Sequence, residues 1–117
     1  MIFSPIDKVL EDLRAGKPVL VTDDESRENE GDAIIAAELA TPEWVAWMIR
    51  YTTGYLCAPM TEQRANELDL PVMWQANEDP HQTNYTVSVD AANRESTGIS
   101  AKERSLTANV LADPGST

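Results

Sequence analysis

The 117-residue sequence has the length of one small domain, and its 42% hydrophobic and 25% charged residues exclude a disordered acidic tail or a coiled coil. Nine Lys and Arg against twenty Asp and Glu give a formal net charge of −11. This excludes a generic nucleic-acid-binding role, which depends on cationic side chains. No segment is long and apolar enough to span a membrane, no secretory leader is recognisable, and the single cysteine, Cys57, fits a reducing compartment. We therefore expect a cytoplasmic protein without a membrane partner, forming a single domain over residues 1–117.

The first third of the chain predicts a helix followed by two strands. Ser4 and Pro5 predict a helix start, with Ser4 as the N-cap and Pro5 as the first helical residue. The apolar runs at 18–22 and 33–37 predict two short strands. Residues 23–32 form a polar connection between them.

The rest of the chain alternates capped helices with short strands. The predicted N-caps of its helices are Thr41, Thr61 and Ser100. Glu103 completes an S-x-x-E capping box with Ser100. Residues 55–58 and 85–90 predict strands, the second from its strict alternation. Interleaved helices and strands predict an α/β (α+β) fold, in which helices cover a mixed sheet of four or five strands with one edge left to pair.

Residues 23–32 concentrate six carboxylates, with Arg27 as the only cation. We expect like charges this close to raise one another's pKa unless a cation lies among them. Two interpretations remain open from composition: a solvated surface loop, or a Mg²⁺ site completed by a phosphorylated substrate. A calcium EF-hand is excluded by spacing, because Gly31 at the glycine position would put Ala37 where the bidentate Glu is required.

Four segments, at 21–32, 54–57, 84–91 and 96–104, resemble in order and spacing the 3,4-dihydroxy-2-butanone 4-phosphate synthase family of riboflavin biosynthesis. The most specific strings are R-E-N-E-G-D, which begins at Arg27, and S-T-G-I-S-A, which begins at Ser96. The resemblance implies a three-layer α/β/α sandwich and a homodimer. It also implies the conversion of D-ribulose 5-phosphate to formate and L-3,4-dihydroxybutan-2-one 4-phosphate, with Mg²⁺ as cofactor and Mn²⁺ as an alternative metal.

The resemblance also implies the roles of particular residues. Glu28 matches the carboxylate that binds Mg²⁺ and contacts the substrate, and Arg27 and Asp32 match residues that contact the sugar phosphate. Cys57 and Thr97 match positions that line the same pocket. Enolisation of the ketose needs a base and charge stabilisation, so we expect Asp32 or a neighbouring carboxylate to move the proton while Glu28 holds the metal.

The family domain is longer than this chain, so we expect the C-terminal part of the fold to be missing. In the family, that part carries a Gly-His-Thr segment whose His is the second Mg²⁺ ligand, together with groups that hold the phosphate and a catalytic Glu. We therefore expect weak Mg²⁺ affinity and negligible turnover from these residues alone. The alternative is an inactive remnant that only dimerises with a full-length homologue. An acidic metal-buffering domain is a third reading, against which the S-T-G-I-S-A string argues.

Several conspicuous residues have simpler interpretations. His81 lies outside every motif and is predicted to be a surface residue. Cys57 has no His motif beside it and is predicted to be a small buried residue that lines a pocket rather than a nucleophile. The helically spaced Trp44, Trp47 and Met48 are predicted to form core or dimer surface.

Overall fold

The computed structural model describes residues 2–117, so Met1 of the predicted domain lies outside it. Its helices are α1 (Ile6–Arg14), α2 (Pro42–Tyr51), α3 (Glu62–Glu67) and α4 (Ala101–Ala112), its strands are β1 (Val19–Thr22) and β2 (Gly31–Ile34), and a 3₁₀ turn covers Ala37–Leu39. Within residues 2–117, no helix combines the length and apolar content that crossing a bilayer requires.

The three predicted threonine and serine caps are confirmed. The hydroxyl oxygens of Thr41, Thr61 and Ser100 each accept a hydrogen bond from the backbone amide three residues later, at 3.1 to 3.3 Å. This bond satisfies one of the amides that lack a partner in the first helical turn. The starts of α2, α3 and α4 are therefore set by local side-chain chemistry.

The predicted cap of α1 is wrong. The helix begins at Ile6 with Pro5 as its N-cap, and no side chain caps it. The backbone of Pro5 is extended, with ψ of 139°, while its carbonyl already accepts the amide of Val9 at 3.2 Å. Since the helical ladder starts at this carbonyl, Ser4 lies one residue too early to act as the cap.

Strands β1 and β2 form an antiparallel hairpin in which Val21 lies opposite Asp32 and Thr22 lies opposite Gly31. The strand predicted at 18–22 is confirmed within one residue. The strand predicted at 33–37 begins earlier, at Gly31, and ends at Ile34. The register explains the shift, because pairing with β1 brings the last two residues of the predicted acidic connection into the ladder.

The strands predicted at 55–58 and 85–90 are wrong. Among residues 2–117, the second segment makes only an isolated antiparallel bridge, between Val72 and Thr86, and neither segment belongs to a named strand. A β-strand depends on a hydrogen-bonding neighbour, and no other strand of the described residues lies beside them. The sheet of residues 2–117 is therefore two-stranded rather than four- or five-stranded.

The small core lies where α4 packs on α2 and on the 3₁₀ turn. Val45 and Met48 of α2 are buried, which confirms Met48 as a core residue. From α4, the hydroxyl of Ser105 donates to the carbonyl oxygen of Ala40 at 2.7 Å, and the amide of Asn109 donates to that of Ala37 at 2.7 Å. Polar side chains of α4 thus supply hydrogen-bond donors to carbonyl groups of the 3₁₀ turn and of its cap.

Apolar side chains stay accessible around this core. Leu20 on β1 is 75% exposed, and Val21 and Ile34 are also exposed. Trp44 and Trp47 are partly buried and stack edge to face, with ring centroids 6.0 Å apart. The radius of gyration is 15.3 Å, whereas a compact domain of this size has about 13 Å. The hairpin therefore adds little to the core of residues 2–117.

Arg64 of α3 joins two parts of the chain that are far apart in sequence. Its guanidinium donates to the carbonyl oxygens of Leu111, Asp113 and Ser116 at 2.7 to 3.3 Å. It also donates to the Ser116 hydroxyl at 2.7 Å and to the Glu67 carboxylate at 3.2 Å. A planar guanidinium suits this because its five N–H donors point in fixed directions.

We predict that Arg64→Met lowers the free energy of unfolding by about 2 kcal/mol, because several carbonyl groups at the end of α4 lose a charged donor. Urea unfolding followed by circular dichroism measures the change. The matched control is Arg14→Met, an exposed arginine in the last turn of α1, with an expected change of about 0.5 kcal/mol. Equal effects of the two substitutions would contradict the assigned role of Arg64.

Candidate active-site loop

The connection between β1 and β2 is held in shape by the side chain of Asp23. Its two carboxylate oxygens accept the backbone amides of Glu28 and Glu30, each at 2.8 Å. The amide of Asp23 in turn donates to the carbonyl oxygen of Glu30 at 3.3 Å. These bonds from backbone amides, first Glu30 and then Glu28, lower the pKa of Asp23 below its usual value, since they stabilise the charged carboxylate.

A second carboxylate of this loop is also committed to local structure. Oδ1 of Asp24 accepts the backbone amide of Ser26 at 2.8 Å and also its hydroxyl. These bonds, the hydroxyl's first, lower the pKa of Asp24. Crowding therefore does not raise the pKa of either residue. At Asp23, amide donors and the nearby cation Arg27 lower the pKa, and at Asp24 the donors of Ser26 outweigh the repulsion from Asp23.

Arg27 and Glu28 lie side by side at the turn of the loop. The guanidinium of Arg27 pairs with Asp23 at 3.1 Å and with Oε1 of Glu28 at 3.2 Å. The Arg27 side chain is 61% exposed, whereas that of Glu28 is 25% exposed. Asn29 follows with a left-handed φ of 53°, a conformation that Asn tolerates better than most residues. The loop therefore presents an exposed cation beside a more enclosed carboxylate.

Asp32 lies outside the loop, on β2. It pairs with Val21 across the ladder and is exposed. Since alternate residues of a strand point to opposite faces, Asp32 shares a sheet face with Val21 and Ile34. The sequence places Asp32 in the acidic connection, whereas the structure fixes it on a strand one residue beyond the first paired position, Gly31.

Cys57 is exposed, so its prediction as a buried residue is wrong within residues 2–117: the segment around it is not covered by a strand. Two tyrosines lie nearby, Tyr55 and Tyr85, with ring centroids 6.3 Å apart. The pKa of Tyr85 is raised, first by partial burial and then by negative charges that include Cys57 and Glu28. The negative charges of Cys57 and Glu28 therefore both act on the phenol of Tyr85.

Thr97 lies in the turn before α4 and is exposed. The carboxylate of Glu103 accepts the backbone amides of Ser96 at 2.6 Å and Gly98 at 2.8 Å, on either side of Thr97. The next residue of α4, Arg104, donates to the carbonyl oxygen of Gly54 at 3.4 Å. This bond connects the segment that carries Cys57 to the helical turn that follows Thr97.

Among residues 2–117, no three His, Cys, Asp or Glu side chains converge in a way that could hold a metal ion. His81 is exposed, as predicted for a surface residue. The donor set of the loop nevertheless suits Mg²⁺, which binds through one or two carboxylates and keeps several waters. Asp23 and Asp24 are occupied by donors of the turn, whereas within residues 2–117 the Glu28 carboxylate pairs through Oε1 with Arg27 alone.

Sequence reasoning assigned no role in the site to three residues that organise this region: Asp23, Tyr85 and Glu103. For Asp23 the available signal is an Asp at the end of a strand, a position that favours side-chain bonds to the following turn. For Glu103 the signal is the S-x-x-E box, although its carboxylate extends beyond the cap to an earlier turn. No sequence pattern indicates the position of Tyr85.

Comparison with solved structures defines the class of protein. The chain superimposes with a TM-score of 0.94 and 48% identity on a crystal structure of 3,4-dihydroxy-2-butanone 4-phosphate synthase in complex with two magnesium ions, covering 98% of this chain and 54% of that one. The two-domain synthase RibBX from A. baumannii matches with a TM-score of 0.84 at 38% identity, over 97% of this chain and 33% of that one. These matches confirm the predicted fold class.

The sequence comparisons lead to the same family. A family model described as 3,4-dihydroxy-2-butanone 4-phosphate synthase matches residues 7–117. The riboflavin biosynthesis proteins RibBA of Salinispora arenicola and Nocardia farcinica are each 56% identical to the chain, over 96% and 95% of its length. The chain belongs to the 3,4-dihydroxy-2-butanone 4-phosphate synthase family, and it spans 27% of the length of these two relatives.

The depressed pKa of Asp23 predicts how the loop responds to acid. The charged carboxylate of Asp23 orders the loop fully above the usual carboxyl pKa of 3.8. This ordering is lost as the pH falls through the lower pKa that Asp23 has in the folded chain. In NMR titrations, the amide signals of Glu28 and Glu30 should therefore shift together with a midpoint below 3.8. Asp23→Asn should abolish this shared transition, and a midpoint at or above the usual value would contradict the assignment.

Proposed function

We propose that these residues form part of the active site of a 3,4-dihydroxy-2-butanone 4-phosphate synthase. The reaction converts D-ribulose 5-phosphate to L-3,4-dihydroxybutan-2-one 4-phosphate and formate. Counted as neutral acids, the two products together contain every carbon, hydrogen, oxygen and phosphorus atom of the substrate, so no oxidant or reductant is needed. The observation that carries the proposal is the shape of the loop, in which Asp23 holds the turn and leaves Glu28 beside Arg27. Family membership and the match to a magnesium-bound synthase support it.

Glu28 is the residue of this chain that would bind Mg²⁺. Its side chain is three-quarters covered, and Arg27, which pairs with it, is exposed. An exposed ion pair of this kind is worth little in free energy, so a divalent cation competes with it readily. When bound, Mg²⁺ would supply stabilisation for the negative charge that develops on the ketose oxygens during enolisation.

The other site residues have roles that follow from their chemistry. Asp32 acts as the base that removes a proton next to the ketone, since an exposed carboxylate on a strand is accessible to substrate and held in place. Arg27 binds the sugar phosphate, for which a guanidinium offers several donors. Cys57 and Thr97 line the pocket from the two segments that the bond between Arg104 and Gly54 connects.

The site is incomplete within residues 2–117. A single carboxylate is a weak Mg²⁺ ligand, and no group of three metal-binding side chains is formed by the described residues. We propose that the residues that complete the site belong to the part of the family domain that lies beyond this chain's match. The 117 residues alone then bind Mg²⁺ weakly and release no formate at a family-like rate. We also propose that the protein acts as a homodimer in the cytoplasm.

The decisive variant is Glu28→Gln, made with this chain in place of the matching segment of the Salinispora arenicola relative. Formate release from D-ribulose 5-phosphate is measured against Mg²⁺ concentration. Loss of a metal ligand should lower turnover by about 100-fold or more. The matched control is Glu25→Gln, which removes the same charge from an exposed position of the loop and should change turnover by less than about twofold.

Undiminished Mg²⁺-dependent turnover in Glu28→Gln would refute the metal assignment. The alternative function, a non-catalytic dimerisation partner, has support from the exposed apolar side chains of the hairpin, Leu20, Val21 and Ile34. It predicts that the hybrid protein with the native sequence of this chain makes no formate. It also predicts that this chain forms heterodimers with the full-length relative, which native mass spectrometry detects.

A further inference from the structure

Glu103 of α4 carries a buried carboxylate. Its residue is 5% exposed, and no salt bridge within residues 2–117 involves it. Instead it accepts the backbone amides of Ser96 at 2.6 Å and Gly98 at 2.8 Å. A buried charge is expensive unless strong donors surround it, and charge-assisted bonds from two backbone amides supply that compensation.

The position of Glu103 in α4 adds to this compensation. It is the third residue of the helix, where the partial positive charge of the helix N-terminus favours an anion. Its own amide donates to the hydroxyl of Ser100 at 3.1 Å. Helix capping alone would require only the contact with Ser100, so the two bonds to the preceding turn need a separate explanation.

The turn that Glu103 holds has Thr97 at its centre. Both amides that Glu103 binds belong to the immediate neighbours of Thr97, so the backbone is fixed on either side of it. Gly98 adopts a left-handed φ of 83°, and a Cβ there would clash with the Asp90 carboxylate. The turn is thus packed closely against Asp90, while the side chain of Thr97 remains exposed.

We propose that Glu103 is a positioning residue that sets the place of Thr97 through the amides of Ser96 and Gly98. Arg104, its neighbour in α4, donates to the carbonyl oxygen of Gly54, so the same helical turn also anchors the segment of Cys57. The placement of Thr97 against the substrate rests on the proposed function. The role of Glu103 in fixing the turn rests on the hydrogen bonds alone.

The first test measures backbone hydrogen exchange of Ser96 and Gly98 by NMR in this chain. Glu103→Gln presents one oxygen and one NH₂ group to two amides, so at least one amide should exchange about tenfold faster. Glu103→Asp keeps both oxygens on a shorter stem and should restore part of the protection. The matched control is Glu95→Gln, which removes an exposed carboxylate paired with Lys102 and should leave both amides unchanged.

The second test measures kcat and KM for D-ribulose 5-phosphate in the hybrid with the Salinispora arenicola relative. If Glu103 acts through Thr97, the double variant Thr97→Ala with Glu103→Gln should be no slower than Thr97→Ala alone. If Glu103 serves only general stability, the two losses in kcat/KM should multiply, and circular dichroism should show a matching loss of helix.

The two tests separate the two proposals. Unchanged exchange of Ser96 and Gly98 in Glu103→Gln overturns the positioning role, whatever the activity. Losses in kcat/KM that multiply in the double variant overturn the positioning role as well. If the unsubstituted hybrid makes no formate while the amides respond as expected, the proposed function fails and Glu103 still stands as the residue that fixes the turn.

Discussion

The acidic loop depends on the acceptance of two backbone amides by the carboxylate of Asp23. With Glu28 and Glu30 held at 2.8 Å, the chain reverses between β1 and β2 without leaving these amides unpaired. The bonds also resolve an electrostatic problem. Backbone donors stabilise the charged form of Asp23 and permit Glu28 to remain beside it, where Arg27 provides a counter-charge to both.

The same device appears a second time, at the turn before α4. There Glu103 accepts the amides of Ser96 and Gly98, again with backbone donors in place of a cation. In a chain with a formal net charge of −11, this arrangement stabilises carboxylates without cations, because backbone amides are available at every turn and cations are scarce. Two carboxylates thus shape the two loops that carry Glu28 and Thr97.

Local chemistry made part of the fold predictable. The caps at Thr41, Thr61 and Ser100 follow from neighbouring residues alone, and so do the helices that begin there. The strands at 55–58 and 85–90 could not be judged in this way, because alternation shows only that a segment suits a sheet. Whether it becomes a strand depends on a neighbour, and residues 2–117 provide only the bridge of Val72 with Thr86.

The candidate site, like the fold, could be predicted only in part from the sequence. The strings beginning at Arg27 and Ser96 identify the family, as the comparisons confirm. The direction of the pKa shifts of Asp23 and Asp24 was missed, because counting carboxylates does not reveal which backbone amides point at them. The reach of Glu103 to the turn before it was missed for a related reason, since its sequence motif describes only the contact with Ser100.

Central to the account is the claim that this loop binds a divalent cation through Glu28. The most direct measurement is paramagnetic broadening of backbone NMR signals by substoichiometric Mn²⁺, a stand-in for Mg²⁺ that requires no turnover. We predict broadening centred on Glu28 that extends to Cys57 and Tyr85, is lost in Glu28→Gln and persists in Glu25→Gln. Broadening spread evenly over the acidic surface, or unchanged by Glu28→Gln, would contradict it.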